Sequence, residues 1–166
     1  MKTRIILPDT DGISEAGAIL RSGGLVAFPT ETVYGLGANA LDATATKHIY
    51  EAKGRPSDNP MIVHVASIDM LNGVASGVTD AQKAIMSKLW PGPITFVLRK
   101  NPAVPDVTTG GLDTVAVRWP SRREAAEIIE AAGVPIAAPS ANLSGKPSPT
   151  TFEDVAEDMD GRIDAI

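Results

Sequence analysis

The side chains best suited to chemistry fall in a few short stretches of the chain. The densest is Lys53-Gly54-Arg55-Pro56-Ser57-Asp58-Asn59-Pro60. Lys and Arg two residues apart, in a segment stiffened by Gly54 and Pro56, can face one anion. The guanidinium offers a bidentate fork and the ammonium a point charge, a pairing suited to phosphate. Asn59 can read a base or ribose edge. The same residues equally fit a solvated helix C-terminus, where cations are favourable in any case. Arg118 closes the apolar run Thr114-Val115-Ala116-Val117. There it can hold a carboxylate or phosphate in the crevice at a strand's carboxyl end, or form a surface ion pair. His64 interrupts Met61-Ile62-Val63-His64-Val65 and is the best titratable candidate, though a lone strand His more often has a structural hydrogen bond. Pro139-Ser140-Ala141-Asn142-Leu143-Ser144-Gly145 follows a short apolar run and offers hydroxyls and an amide, for a ligand or for an Asx turn. Thr30, Thr32 and Tyr34 are turn formers or ligand contacts.

Other chemistries are excluded. The chain has no Cys, which removes thiol catalysis, disulfides and thiolate zinc sites. His48, beside Lys47 on a helix, is expected at the surface, and the two His lack metal-ligand spacing, so no metal ligand is assigned. There is no nucleophile elbow of the G-x-S-x-G kind and no P-loop. Gly35-Leu36-Gly37-Ala38-Asn39-Ala40 formally fits a dinucleotide fingerprint. That motif, however, requires the glycines to follow a strand directly and open a helix, and Pro29-Thr30-Glu31-Thr32 intervenes. A turn needing positive φ at glycine is the alternative.

These residues need a scaffold. With 166 residues, 43% of them hydrophobic and 21% charged, the chain is long and apolar enough for one globular domain. The net charge is −5. Six acids (Glu153, Asp154, Glu157, Asp158, Asp160, Asp164) against Arg162 place that excess after Pro149, leaving the rest neutral. A neutral body does not look like a general nucleic-acid binder. No membrane span or signal peptide is apparent, and a soluble cytoplasmic protein is the default expectation. The apolar pattern predicts strands at Lys2–Leu7, Leu25–Phe28, Met61–Val65, Thr95–Arg99, Thr114–Arg118 and Ile136–Ala138, with another beginning at Ile163–Ile166. Helices are expected over Gly12–Ser22 (capped by Asp11), Ala43–Ala52, Ile68–Ser76, from Thr79 to before Pro91, from Ser121 to Gly133, and after Thr150. Thr79/Gln82, Ser121/Glu124 and Thr150/Glu153 have capping-box spacing. The mixture points to an α/β fold with a mixed, twisted sheet.

Six segments taken in order resemble the YrdC family, the threonylcarbamoyl-AMP synthases. They are Phe28-Pro29-Thr30-Glu31-Thr32-Val33-Tyr34-Gly35-Leu36; Lys53-Gly54-Arg55 with Asn59-Pro60-Met61; Ile62-Val63-His64-Val65; Trp90-Pro91-Gly92-Pro93-Ile94-Thr95; Val117-Arg118-Trp119-Pro120; and Pro139-Ser140-Ala141-Asn142 with Ser144-Gly145. The resemblance implies a YrdC-like α/β twist fold with an open, positively lined ligand cavity. It implies a nucleotidyltransferase that makes threonylcarbamoyl-AMP and pyrophosphate from L-threonine, bicarbonate and ATP, with Mg2+. The product would feed a separate tRNA threonylcarbamoyl transferase acting on adenosine 37, and contact with tRNA itself is a further expectation. By the same resemblance Thr32, His64, Arg118 and Ser140 hold L-threonine. Lys53, Arg55, Asn59, Thr114, Asn142 and Thr150 hold ATP. No catalytic base is assigned. Members of the family continue past a segment like Gly161–Ile166 into further strands. A single domain over 1–166 is therefore expected to be cut short at its C-terminal end, with an unfinished sheet edge that invites association. Two other functions fit the same residues: a carbamoyltransferase domain working through a carbamoyl-adenylate, and an RNA-binding module without catalysis.

Overall fold

The computed structural model describes residues 2–166. Helix α1 (Thr10–Arg21) opens where the Asp9 carboxylate accepts a hydrogen bond from the Gly12 amide at 2.9 Å. Asp9 therefore caps the helix and Asp11 lies inside its first turn, where an acid still suits the helix dipole. Strands β1 (Val26–Pro29) and β2 (Tyr34–Asn39) form a hairpin. They are followed by α2 (Ala43–Lys53), β3 (Ile62–His64), α3 (Ile68–Val74), α4 (Asp80–Leu89), β4 (Thr95–Arg99), α5 (Asp106–Thr109), β5 (Thr114–Arg118), α6 (Arg123–Ala132), β6 (Ile136–Ala137) and α7 (Phe152–Met159). The Thr79/Gln82 capping box forms as expected. The other two do not. Glu124 pairs with Arg122 at 3.1 Å instead of reaching back to Ser121, and α6 starts at Arg123 without a side-chain cap. The α7 cap is Thr151, one residue after Thr150, and its hydroxyl accepts from the Asp154 amide.

The strands form one sheet in the order β1-β2-β6-β3-β5-β4, with β3 and β5 parallel and the other pairs antiparallel. Side chains alternate between the faces. One face carries Ala27, Leu36, Ala38, Ala137, Val63, Val115, Val117 and Leu98, all buried in the main core with residues of α2, α3, α4 and α7. The other face is covered only in part. Over β1, β2 and β6, residues Val26, Phe28 and Ile136 pack with Ala16 and Leu20 of α1 and Ala125, Ile128 and Ile129 of α6. Over β3, β5 and β4 it is left open: Ile62, Thr114 and Ala116 are half-buried, and Val97 and Arg99 are exposed. The parallel register puts Ile62 beside Ala116 and His64 beside Arg118, so both lie on this open face.

Gly35 and Gly37 are strand residues of β2, neither in a turn nor at the head of a helix. Neither has positive φ. A Cβ on Gly37 would come within 2.6 Å of Phe28 Cε1 and 2.9 Å of Ile136 Cγ2. Close packing under α1 and α6 is what requires glycine there.

The two ends of the chain meet. After a bend at Ile163 and Asp164, Ala165 makes isolated parallel bridges on both sides, to Arg4 and to Val26. The amides of Arg4 and Ile6 bond the carbonyls of Asp164 and Ile166, and the Ala27 amide bonds the Ala165 carbonyl. The last residues are thus held between the N-terminal segment and β1. The Thr3 hydroxyl donates to the Ile163 carbonyl at 2.8 Å and accepts from the Gly161 amide, which fastens the seam.

Candidate functional site

The site is built from three elements, beginning with the carboxyl ends of β3 and β5. His64 and Arg118 are register partners there, 3% and 8% exposed. The loop between β1 and β2 folds over them. In it Thr30 is buried, its hydroxyl donating to the Val33 carbonyl at 2.6 Å and lying 3.0 Å from Thr32 Oγ1. Thr32 Oγ1 in turn accepts from Arg118 Nη1 at 3.1 Å, so Thr32, His64 and Arg118 are brought together. Glu31, beside Thr32, places its carboxylate 2.9 Å from Arg118 Nη2. Burial works to raise the Glu31 carboxyl, but the Arg118 guanidinium, together with the backbone amides of Glu31 and Ser121, outweighs it and holds the group below the usual carboxylate range. Burial, aided by the Arg118 charge, pushes His64 down to about 4. It is neutral at physiological pH, able to accept or donate one hydrogen bond and too weak a base to take a proton from an ammonium.

The third element is the loop after β6. It lies along the start of β2: Ser140 bridges Gly35, and the Ala141 amide bonds the Tyr34 carbonyl. Ser140 thus lies beyond the amino end of β3, where Ala138 already bonds Ile62, and none of its hydrogen bonds among the described residues reaches Thr32, His64 or Arg118. Lys53, at the end of α2 and 3% exposed, reaches into this loop and donates to the carbonyls of Ser140 and, at 2.5 Å, Asn142. Two of its three donors are used in holding the loop, and burial together with the nearby Arg55 charge lowers its pKa to about 8. The Asn142 amide donates to the carbonyls of Leu143 and Lys146, while its buried Oδ1 has no partner among the described residues. Asp158 of α7 completes the clamp. It accepts from the Leu143 amide at 3.0 Å and from Lys146 at 2.6 Å.

The remaining nucleotide candidates lie farther out. Gly54 turns the chain in the left-handed region (φ 60°), and Arg55 then lies over the Tyr50 ring, 5.9 Å from its centroid. The Tyr50 hydroxyl ties the segment down by donating to the carbonyls of Asn59 and Val107 at 2.9 and 3.0 Å. The side chain of Asn59 is exposed. Thr114 shares the open face with Arg118 but at the far end of β5, roughly 13 Å away along the strand. Thr150 is exposed beyond the loop after β6. The candidates thus fall into a compact group around Arg118 and a dispersed group whose cations, Lys53 and Arg55, start from the end of α2. His48 is exposed, as expected.

Two residues escaped the reading of the sequence. Glu31 lay in a segment valued for its hydroxyls, and its signal was an acid between two threonines at a strand exit. Asp158 was one of six acids in a run, and nothing in the pattern set it apart from its solvated neighbours. Among the described residues, no group of three or more His, Asp or Glu side chains is arranged to hold a metal ion.

Comparison with known proteins agrees with this geometry. The Sua5/YciO/YrdC family profile, described as "Telomere recombination", matches residues 18–166. A threonylcarbamoyl-AMP synthase of Pyrococcus abyssi is 57% identical over 151 residues, covering 91% of this chain and 44% of its own length. One of Bacillus subtilis is 55% identical, covering 93% and 45%. The crystal structure of P. abyssi Sua5 complexed with L-threonine superposes with a TM-score of 0.95 at 54% identity, over 99% of this chain and 49% of that one. The chain spans about half the length of these relatives. Since the match runs from Ala18 to Ile166, through every segment that builds the open face, this chain belongs to the Sua5/YciO/YrdC family.

Proposed function

We propose that this chain is a cytoplasmic nucleotidyltransferase that condenses L-threonine, bicarbonate and ATP into threonylcarbamoyl-AMP and pyrophosphate. The observation that carries the reading is the cluster of Arg118, His64 and Thr32 on the open sheet face, in a fold shared with a relative solved with L-threonine.

The chemistry suits these side chains. The threonine amine, freed of its proton, adds to the carbon of bicarbonate, and water leaves to give a carbamate. A carbamate oxygen then attacks the α-phosphorus of ATP and pyrophosphate departs. Negative charge grows on phosphate oxygens, so placed cations matter more than a covalent nucleophile. Arg118 takes the amino-acid carboxylate, Thr32 and Ser140 frame it, and neutral His64 offers a hydrogen bond. Arg55 and the remaining donor of Lys53 face the phosphates, with Asn59, Thr114, Asn142 and Thr150 along the nucleotide. The carboxylate beside the threonine-binding group, Glu31, is paired with Arg118, so no ligand set for magnesium is assigned among the described residues. The ion enters as part of the nucleotide substrate, held by phosphates and water. The product is a mixed anhydride that suits transfer to a tRNA adenosine by a separate transferase.

The test is pyrophosphate release from ATP by this chain. Release is expected only when L-threonine and bicarbonate are both present. Release independent of threonine, or none under any combination, would overturn the assignment.

A further inference from the structure

The Arg118 site is left half-satisfied in a way that describes its ligand. Arg118 and Glu31 are 2.9 Å apart, yet the pair is misaligned. Among the described residues, Arg118 Nε and Nη2, both Glu31 oxygens and His64 Nδ1 are all buried without a well-formed hydrogen bond. A buried polar group left without a good partner disfavours the folded state, so such groups call for one. Elsewhere in the chain, the only other buried side-chain atom without a partner among the described residues is Asn142 Oδ1, so the deficit is concentrated here. A guanidinium edge seeks an anion, a carboxylate seeks a cation, and a neutral imidazole seeks a single polar partner. A zwitterionic amino acid with a hydroxyl side chain supplies all three.

Resting on the function proposed above, we infer that Glu31 is the receptor for the α-ammonium of the amino-acid substrate. In the structure its carboxylate lies against Arg118. The substrate's carboxylate takes the free guanidinium edge, Glu31 is released from the misaligned pair, and its oxygens turn to the ammonium beside it. The loop that carries Glu31 can allow this, since it is a bend between two strands and not part of the ladder. Glu31 stays ionised, because the guanidinium and the backbone amides of Glu31 and Ser121 hold its carboxyl low. It therefore binds the protonated amine and selects for it; it is not the base that later removes the proton. Ligands with a carboxylate and a hydroxyl but no amine leave Glu31 without a cation and compete with it for Arg118.

Titration calorimetry with L-threonine and with 3-hydroxybutanoate, which is threonine without its amine, tests this. In the unmodified chain L-threonine should bind roughly tenfold or more tighter than 3-hydroxybutanoate. Glu31→Gln should remove most of that preference by weakening L-threonine, with 3-hydroxybutanoate unchanged or tighter and ATP affinity intact. Glu31→Asp, which keeps the charge, should restore part of the preference. Equal binding of the two ligands to the unmodified chain would overturn the inference without any variant. So would a parallel loss of both in Glu31→Gln, which would make Glu31 only a support for Arg118. Failure of the unmodified chain to bind L-threonine at all would instead remove the proposed function, and this inference with it.

Discussion

At neutral pH His64 carries no charge, because burial and the neighbouring Arg118 bring its pKa to about 4. In the unfolded chain the same imidazole titrates near its ordinary value of about 6.5. Between these two values the unfolded state binds the proton and the folded state does not, so stability falls as pH drops from 6.5 towards 4. The difference corresponds to a loss on the order of 3 kcal/mol, complete below pH 4. Urea unfolding at pH 7 and pH 4.5 should show this loss in the wild type and much less of it in His64→Gln. Equal acid sensitivity in the two proteins would place the effect on other groups. The position of His64 was legible in the sequence, since a polar residue amid Met61-Ile62-Val63 and Val65 must be buried. Its role was not, because that depends on Arg118 beside it, 54 positions away in the chain. Glu31 was hidden for the same reason: its partner lies on another strand.

Elements were easier to read than their ends. The apolar runs at Thr95–Arg99 and Thr114–Arg118 give the strands their observed limits. Two of the helix starts expected from capping-box spacing shift by a residue or more, because the spacing recurs at neighbouring positions and only side-chain competition decides between them, as when Arg122 takes Glu124. The glycines of β2 were the larger failure. A G-x-G spacing signals turns or phosphate loops far more often than a strand pressed beneath two helices. This makes a sharp prediction. Gly37→Ala should cost about 1–3 kcal/mol in chemical denaturation, since the new methyl meets Phe28 and Ile136. Gly73→Ala in α3, where a Cβ would meet nothing within 4 Å, should be neutral or stabilise by up to about 1 kcal/mol. A neutral Gly37→Ala would mean that α1 and α6 give way easily.

For the molecule as a whole, charge decides between catalysis on small molecules and capture of nucleic acid. The chain carries −5, and the cations that matter, Arg118 and Lys53, are buried within ion pairs or loops. Each phosphate neutralised by a binding protein requires a cation at the surface. At about 150 mM salt, gel-shift assays should therefore show no complex between this chain and tRNA at micromolar concentration. Tight binding with steep salt dependence would restore the RNA-binding reading. The α/β class and mixed sheet followed from composition and pattern, whereas strand order did not, because it depends on pairings between segments far apart in the chain. The seam between the ends is the extreme case. Thr3 bonds the carbonyl of Ile163, 160 residues later. Closing a loop of that length costs about 2.4 kcal/mol more entropy than closing one of about ten residues. The segment beside β1 is made well after that strand, with Asp164 following Leu25 by 139 residues. Leu25–Phe28 and the N-terminal residues must therefore wait, bare along one side, until that segment has emerged from the ribosome. Late closure, with a period of exposure to chaperones and to other nascent chains, is built into the order of the strands.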